Sequence, residues 1–112
     1  FIFIYHNCGN VKPLLQSIFT IGADAYHFGN ATDMVDALSV SPKDVLIMGN
    51  IHPVYEFDKG TPDSMKKAVI SLLDSCNQYD NFVISSGCDI PAQSKLENID
   101  AYFKEVTSYY QK

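Results

Sequence analysis

The sequence predicts an α/β fold: a parallel sheet made of four consecutive strand–helix units, the size of half a (β/α)₈ barrel. Three observations point there. Four short apolar runs, at 1–5, 23–28, 45–48 and 82–85, are each followed within a few residues by a glycine: Gly9, Gly29, Gly49 and Gly87. A segment of helical periodicity follows each glycine. The unit length is about 28 residues, so eight units would make about 224, within the range of a closed barrel. Near-continuous apolar strands suit a parallel sheet with right-handed crossovers. A free-standing, four-stranded doubly wound sheet is the alternative that the same pattern allows.

In the first strand, side chains alternate between faces, so Ile2, Ile4, His6 and Cys8 share one face while Phe1, Phe3 and Tyr5 share the other. His6 and Cys8 are about 6.6 Å apart along such a strand, near enough for both to reach one ion. Two readings follow: a pair of metal ligands, or a small thiol beside a histidine bonded to backbone. The first helix is expected over 11–19, with Pro13 tolerated in its first turn and Leu14, Leu15, Ile18 and Phe19 as its stripe. The second strand leads through His27 to a helix over 33–39, capped by Thr32 or Asp33 and stopped by Pro42. The third strand leads into "GNIHPV". The third helix, over 62–77, has Thr61 as its cap, Pro62 at its first position and Asp63 complementing its dipole. Its buried face is Met65, Ala68, Val69, Leu72, Leu73 and Cys76. The fourth strand ends in "SSGCDIP", and the fourth helix, over 96–109, turns Ile99, Tyr102, Phe103 and Val106 inward. Tyr109 and Tyr110 read as packing residues.

Composition narrows the function. With 46% hydrophobic residues in 112, the chain is one globular domain, 1–112, with no linker or repeat boundary. Its net charge is −5 and its eight basic residues form no patch, which argues against a nucleic-acid partner. No apolar run approaches the length of a membrane span. Three cysteines do not form a disulfide scaffold, so a cytoplasmic location is expected. The chain begins with Phe1, and a piece of a longer protein is the expectation. Neither GxGxxG nor GxxxxGK[ST] occurs.

Polar residues gather where strands end, and in parallel α/β folds these carboxyl ends host the site. His6, Cys8 and Cys88 are ligands of the type zinc prefers, and three protein ligands leave a coordination position open, as in catalytic rather than structural zinc sites. Such a site suits an incoming thiol, which coordination deprotonates. Asn10, Asn50, His52 and Asp89 are candidate substrate contacts, with loop capping as the other reading of each. His27 reads either as support for a ligand or as an ordinary half-buried histidine. Cys76 reads as core.

Three stretches carry a family resemblance: "HNCGN", "GNIHPVYEFDKGTPDSM" and "SSGCDIPAQSKLENIDA". They resemble the C-terminal half of the uroporphyrinogen decarboxylase superfamily, most closely its methylcobamide:coenzyme M methyltransferase branch. The resemblance implies a (β/α)₈ barrel in which a His-x-Cys pair and a distant Cys bind zinc, a pattern that falls on His6, Cys8 and Cys88. It implies methyl transfer from a methylated corrinoid to a small thiol, with a corrinoid protein or free methylcobamide as partner. The decarboxylases themselves resemble "LGHGI" in the last strand loop, with histidine in the place of Cys88, and need no metal. Some coenzyme M enzymes carry an acidic residue near the end of the second strand, where this chain has Gly29 and Asn30. His27, Asp33, water or nothing then completes the zinc.

Two other functions stay open: decarboxylation, and a non-catalytic half-barrel that serves assembly. Half a barrel implies pairing with an N-terminal half or with a second copy. Its open face is expected to include Ile2, Ile4 and Ile84, and an isolated half is expected to relax and separate the ligand strands.

Overall fold

The computed structural model describes residues 1–111. Four strands, β1 (Ile4–Asn7), β2 (Ala25–Phe28), β3 (Leu46–Ile51) and β4 (Phe82–Ser86), form one sheet in the order β1-β2-β3-β4, every pair parallel. Helices α1 (Leu15–Ile18), α2 (Met34–Val40), α3 (Pro62–Cys76) and α4 (Leu96–Tyr110) fill the connections. Each packs on the next, α1 on α2, α2 on α3 and α3 on α4, so all four lie on one face. Chain-order strands with one-sided helices make half of a (β/α)₈ barrel and exclude the doubly wound alternative, in which helices cover both faces.

The register defines two sides. Tyr5, Tyr26, Ile47 and Phe82 align across the sheet and enter the core with Phe28, Leu38, Met65, Val69, Leu73 and Cys76. His6, His27, Met48 and Val83 align one position later and face the opposite, helix-free side. Apolar burial thus anchors one side and leaves the other to chemistry.

Capping chemistry agrees with the sequence. Asp33 caps α2 by accepting from the N–H groups of Val35 and Asp36. Thr61 and Ser64 form a reciprocal capping box at the start of α3.

Several boundaries differ. The first strand occupies 4–7 rather than 1–5, because pairing starts only where β2 provides partners. Phe3 is held just before it, donating its N–H to the Asp24 carboxylate and accepting from the N–H groups of Asp24 and Ala25. His6 is therefore inside the strand. The first helix is a 3₁₀ turn, Lys12–Leu14, followed by a single α turn. A π-helical turn, Pro53–Asp58, was not foreseen; His52 caps it by accepting from the Tyr55 N–H.

In α4, Phe103 is 62% exposed rather than inward. Asn98 takes the inner position, donating to the carbonyls of Phe57 and Gly60, and this rotates the buried stripe toward Asn98 and Tyr102. Ile84 aligns with Gly49 and packs against the core, so Val83, not Ile84, faces the open side.

The open side carries Ile4 (52% exposed), Leu46 (46%) and Val83 (38%), with Ile2 (76%) beside them. Removing such area from water is worth about 25 cal/mol per Å². In isolation the 112-residue chain is therefore expected to self-associate. Light scattering that finds a stable monomer at high concentration would contradict this.

Candidate metal centre

At the carboxyl ends of the strands, β1 supplies His6 and the residues after it supply Cys8; the loop after β4 supplies Cys88. Those two strands are not neighbours, so something must bring their ends together. Two glycines do. A Cβ on Gly29 would stand 2.9 Å from the Cα and carbonyl oxygen of Cys8. A Cβ on Gly87 would stand 2.8 Å from the Asn30 nitrogen and 3.2 Å from the Gly29 carbonyl carbon. Only hydrogen fits at either place, so the β4 loop folds over the end of β2 and reaches β1.

Hydrogen bonds hold the approach. Gly87 N–H donates to the Ile51 carbonyl, Gly29 N–H to the Asn7 carbonyl, and the Ser86 hydroxyl to the Cys88 carbonyl. Across the same rim, the Thr32 hydroxyl donates to the Gly9 carbonyl.

The result is a tight triangle. His6 Nε2 lies 2.8 Å from Cys8 Sγ, Cys8 Sγ lies 3.1 Å from Cys88 Sγ, and Cys88 Sγ lies 3.8 Å from His6 Nε2. In this structure the three groups stand together rather than apart. A point about 1 Å above the centre of this triangle is ~2.2 Å from all three atoms, close to zinc–nitrogen (~2.0–2.1 Å) and zinc–sulfur (~2.3 Å) bonds.

Electrostatics point the same way. Cys88 raises the Cys8 thiol above its usual range, first through their hydrogen bond and then, after burial, through its charge, with Asp89 adding to the effect. A cation beside the two sulfurs would offset that penalty on Cys8. Donor set and spacing thus fit a zinc ion.

His27 and Asp33, the candidates for completing the site, are engaged elsewhere. Asp33 caps α2. His27 Nδ1 lies 2.8 Å from His6 Nδ1 and its Nε2 lies 2.7 Å from the Ser86 carbonyl. Among the described residues, the cluster that could hold a metal is His6, Cys8 and Cys88, of which His6 and Cys8 are exposed and Cys88 is half-buried.

The other candidates are more scattered. Asn10 accepts from the Lys12 N–H, a loop-capping contact. Asn50 donates through Nδ2 to the carbonyls of Gly29 and Thr32, bracing the rim from β3. His52 stacks on Tyr55, ring centroids 4.0 Å apart, and borders a cavity of about 400 Å³ between α2 and α3 with Asn30, Asn50 and Glu56. Asp89 is exposed beside Cys88. A second cleft of about 400 Å³ adjoins the cluster, lined by His27, Cys88, Asp89, Ile90, Ile99 and Phe103 among others. The closeness of approach at Gly29 and Gly87 was not read from the sequence; its only signal was a glycine soon after each strand.

Cys76 is the third thiol. It is fully buried, and burial together with Asp33 pushes it up to about 11, so it stays protonated and inert.

The uroporphyrinogen decarboxylase (URO-D) family profile matches residues 2–109 of the chain. No curated protein is significantly similar to it. Among solved structures, a methyltransferase from Methanosarcina mazei superimposes on 97% of the chain with a TM-score of 0.84 at 23% sequence identity. The chain spans 32% of that protein's length.

Mild oxidation of the metal-free protein is expected to link Cys8 to Cys88 and leave Cys76 unmodified, as peptide mapping will show. A side chain at position 87 forces the loops apart, so Gly87→Val should slow that link at least about tenfold. Equal rates would mean that the glycine contact does not hold the cluster together.

Proposed function

The chain belongs to the uroporphyrinogen decarboxylase family, and from that membership together with the His6–Cys8–Cys88 triangle we propose that it carries the thiol-activating part of a zinc-dependent methyltransferase. The substrates are a methylated corrinoid and a small thiol. The triangle of one imidazole and two sulfurs on the exposed rim is the observation that carries this reading.

His6 Nε2, Cys8 Sγ and Cys88 Sγ are the residues that would hold the ion. Zinc, when bound, would supply Lewis acidity that lowers a thiol's pKa from ~8.5, so that it ionises at neutral pH. Cys8 and Cys88, as thiolates, bring two negative charges, and His6 brings none. That donor set cancels the charge of a divalent cation and leaves an added sulfur electron-rich, as a nucleophile must be. The rim exposes the open position, and the cleft beside Cys88 gives the thiol's carbon chain an apolar wall in Ile90, Ile99 and Phe103. The overall step forms one sulfur–carbon bond and breaks one cobalt–carbon bond. The electron pair of the broken bond stays on cobalt, and the thiol proton leaves to solvent.

Decarboxylation, the activity named for the family, is supported less well. This chain spends its rim on two sulfurs. A purely structural half-barrel has no use for three soft ligands at one point.

The full-length protein, purified without chelator, is expected to contain about one zinc per chain and to demethylate methylcobalamin in the presence of a small thiol, followed by the visible spectrum of the corrinoid. Cys88→His, which replaces a thiolate by a neutral ring, should abolish that activity. Less than about half an equivalent of zinc, or loss of carboxylate carbon as CO₂ from an acidic substrate without any thiol methylation, would contradict the proposal.

A further inference from the structure

We infer that His27 is a positioning residue for His6, fixing the tautomer and orientation in which His6 presents Nε2 to a metal; the inference rests on the proposed zinc site. His27 sits in β2, paired in register with His6 on β1, and the two rings stack with centroids 4.7 Å apart and planes 28° apart.

The proton positions follow from what each partner is able to do. His27 Nε2 lies 2.7 Å from the Ser86 carbonyl oxygen, which only accepts, so Nε2 carries the proton and donates it. The Ser85 hydroxyl lies 3.1 Å from the same nitrogen. A neutral His27 with its proton on Nε2 has a lone pair on Nδ1. His6 Nδ1 lies 2.8 Å from that lone pair and must therefore donate to it. Independently, His6 Nδ1 lies 3.2 Å from the His27 backbone carbonyl, another group that only accepts. Both partners require the proton of His6 on Nδ1. Its Nε2 is then unprotonated, and Nε2 is the atom 2.8 Å from Cys8 Sγ.

The line Ser86 carbonyl, His27, His6 thus runs from β4 across β2 to β1 and ends at the ligand atom. A free histidine side chain favours the opposite tautomer, with its proton on Nε2, which leaves that nitrogen no lone pair for a metal until the proton moves. The fold removes that step in advance. It also ties the loop that carries Cys88 to the ring of His6, so one displaced strand end would disturb two ligands together. Outer partners of this kind typically change metal affinity 10–100-fold when removed.

Two substitutions separate the roles of the ring. His27→Phe keeps a stacking ring and the backbone carbonyl but removes the acceptor. His27→Gln restores an amide oxygen to accept from His6 and an amide N–H to donate to Ser86. Zinc affinity of the full-length proteins, measured by competition with a chromophoric chelator, is expected to fall about tenfold or more in His27→Phe and to recover most of the way in His27→Gln. In ¹⁵N-histidine-labelled, metal-free wild type, the His6 ring, identified by its loss in His6→Gln, is expected to be protonated on Nδ1. Unchanged affinity in His27→Phe, or a His6 ring protonated on Nε2, would overturn the inference. If wild type binds no zinc at all, the metal reading fails, and the ring spectrum of wild type still decides the tautomer. If His27→Phe does not fold, His27→Gln and that spectrum decide between the outcomes.

Discussion

The close approach of three backbone segments at the strand ends is the constraint on which the rest of the site depends. Gly29 lets the β2 end press on Cys8, and Gly87 lets the β4 loop press on Gly29 and Asn30. Without both contacts, Cys88 would remain near β4, with two strands between it and β1. With them, two sulfurs and one imidazole nitrogen come within 3.8 Å of one another. The same crowding carries an electrostatic penalty, since the Cys8 thiol resists ionisation beside Cys88. A divalent cation, as proposed, would offset that penalty.

Stability and chemistry are divided between the faces of the sheet. The helix side buries Tyr26, Phe28, Ile47, Met65, Val69 and Leu73 against each other, and each such side chain is worth roughly 1.5–3 kcal/mol. The opposite side carries His6, His27, Met48 and Ser85, with exposed Ile4, Leu46 and Val83 around them. Strand geometry sets this division, because each residue step reverses the face. The ligands sit at the ends of strands that the core holds rigid, which preserves their spacing without any contribution from the site to folding. Asn50 joins the two systems, reaching from β3 to the carbonyls of Gly29 and Thr32.

Much of the architecture was legible because it is local. Apolar runs and helical stripes are properties of short windows, and their alternation yields the parallel, chain-order sheet. The shared face of His6 and Cys8 follows from the two-residue period of a strand, and the motif resemblance pointed to the family. What was illegible depends on contacts between distant segments. The start of β1 is set by where β2 begins to pair, so Phe1, Ile2 and Phe3 fell outside it. Phe103 was read as inward from its spacing, but Asn98 takes that direction through two carbonyls of the Pro53–Asp58 turn and its neighbourhood. The gathering of Cys88 onto His6 and Cys8 depends on two missing Cβ atoms, and a lone glycine after a strand does not announce what it touches. The role of His27 lies in which of its nitrogens faces a carbonyl, a matter of three-dimensional placement that spacing does not encode.

The central claim is that one ion is held by one imidazole and two thiolates with a position left for substrate sulfur. Zinc X-ray absorption of the full-length protein tests it most directly. The account predicts two sulfur neighbours at ~2.3 Å and one or two nitrogen or oxygen neighbours at ~2.0–2.1 Å, with the sulfur count rising to three when a small thiol is added. A shell without sulfur, a closed shell of four protein ligands, or a sulfur count that does not change with thiol would contradict it.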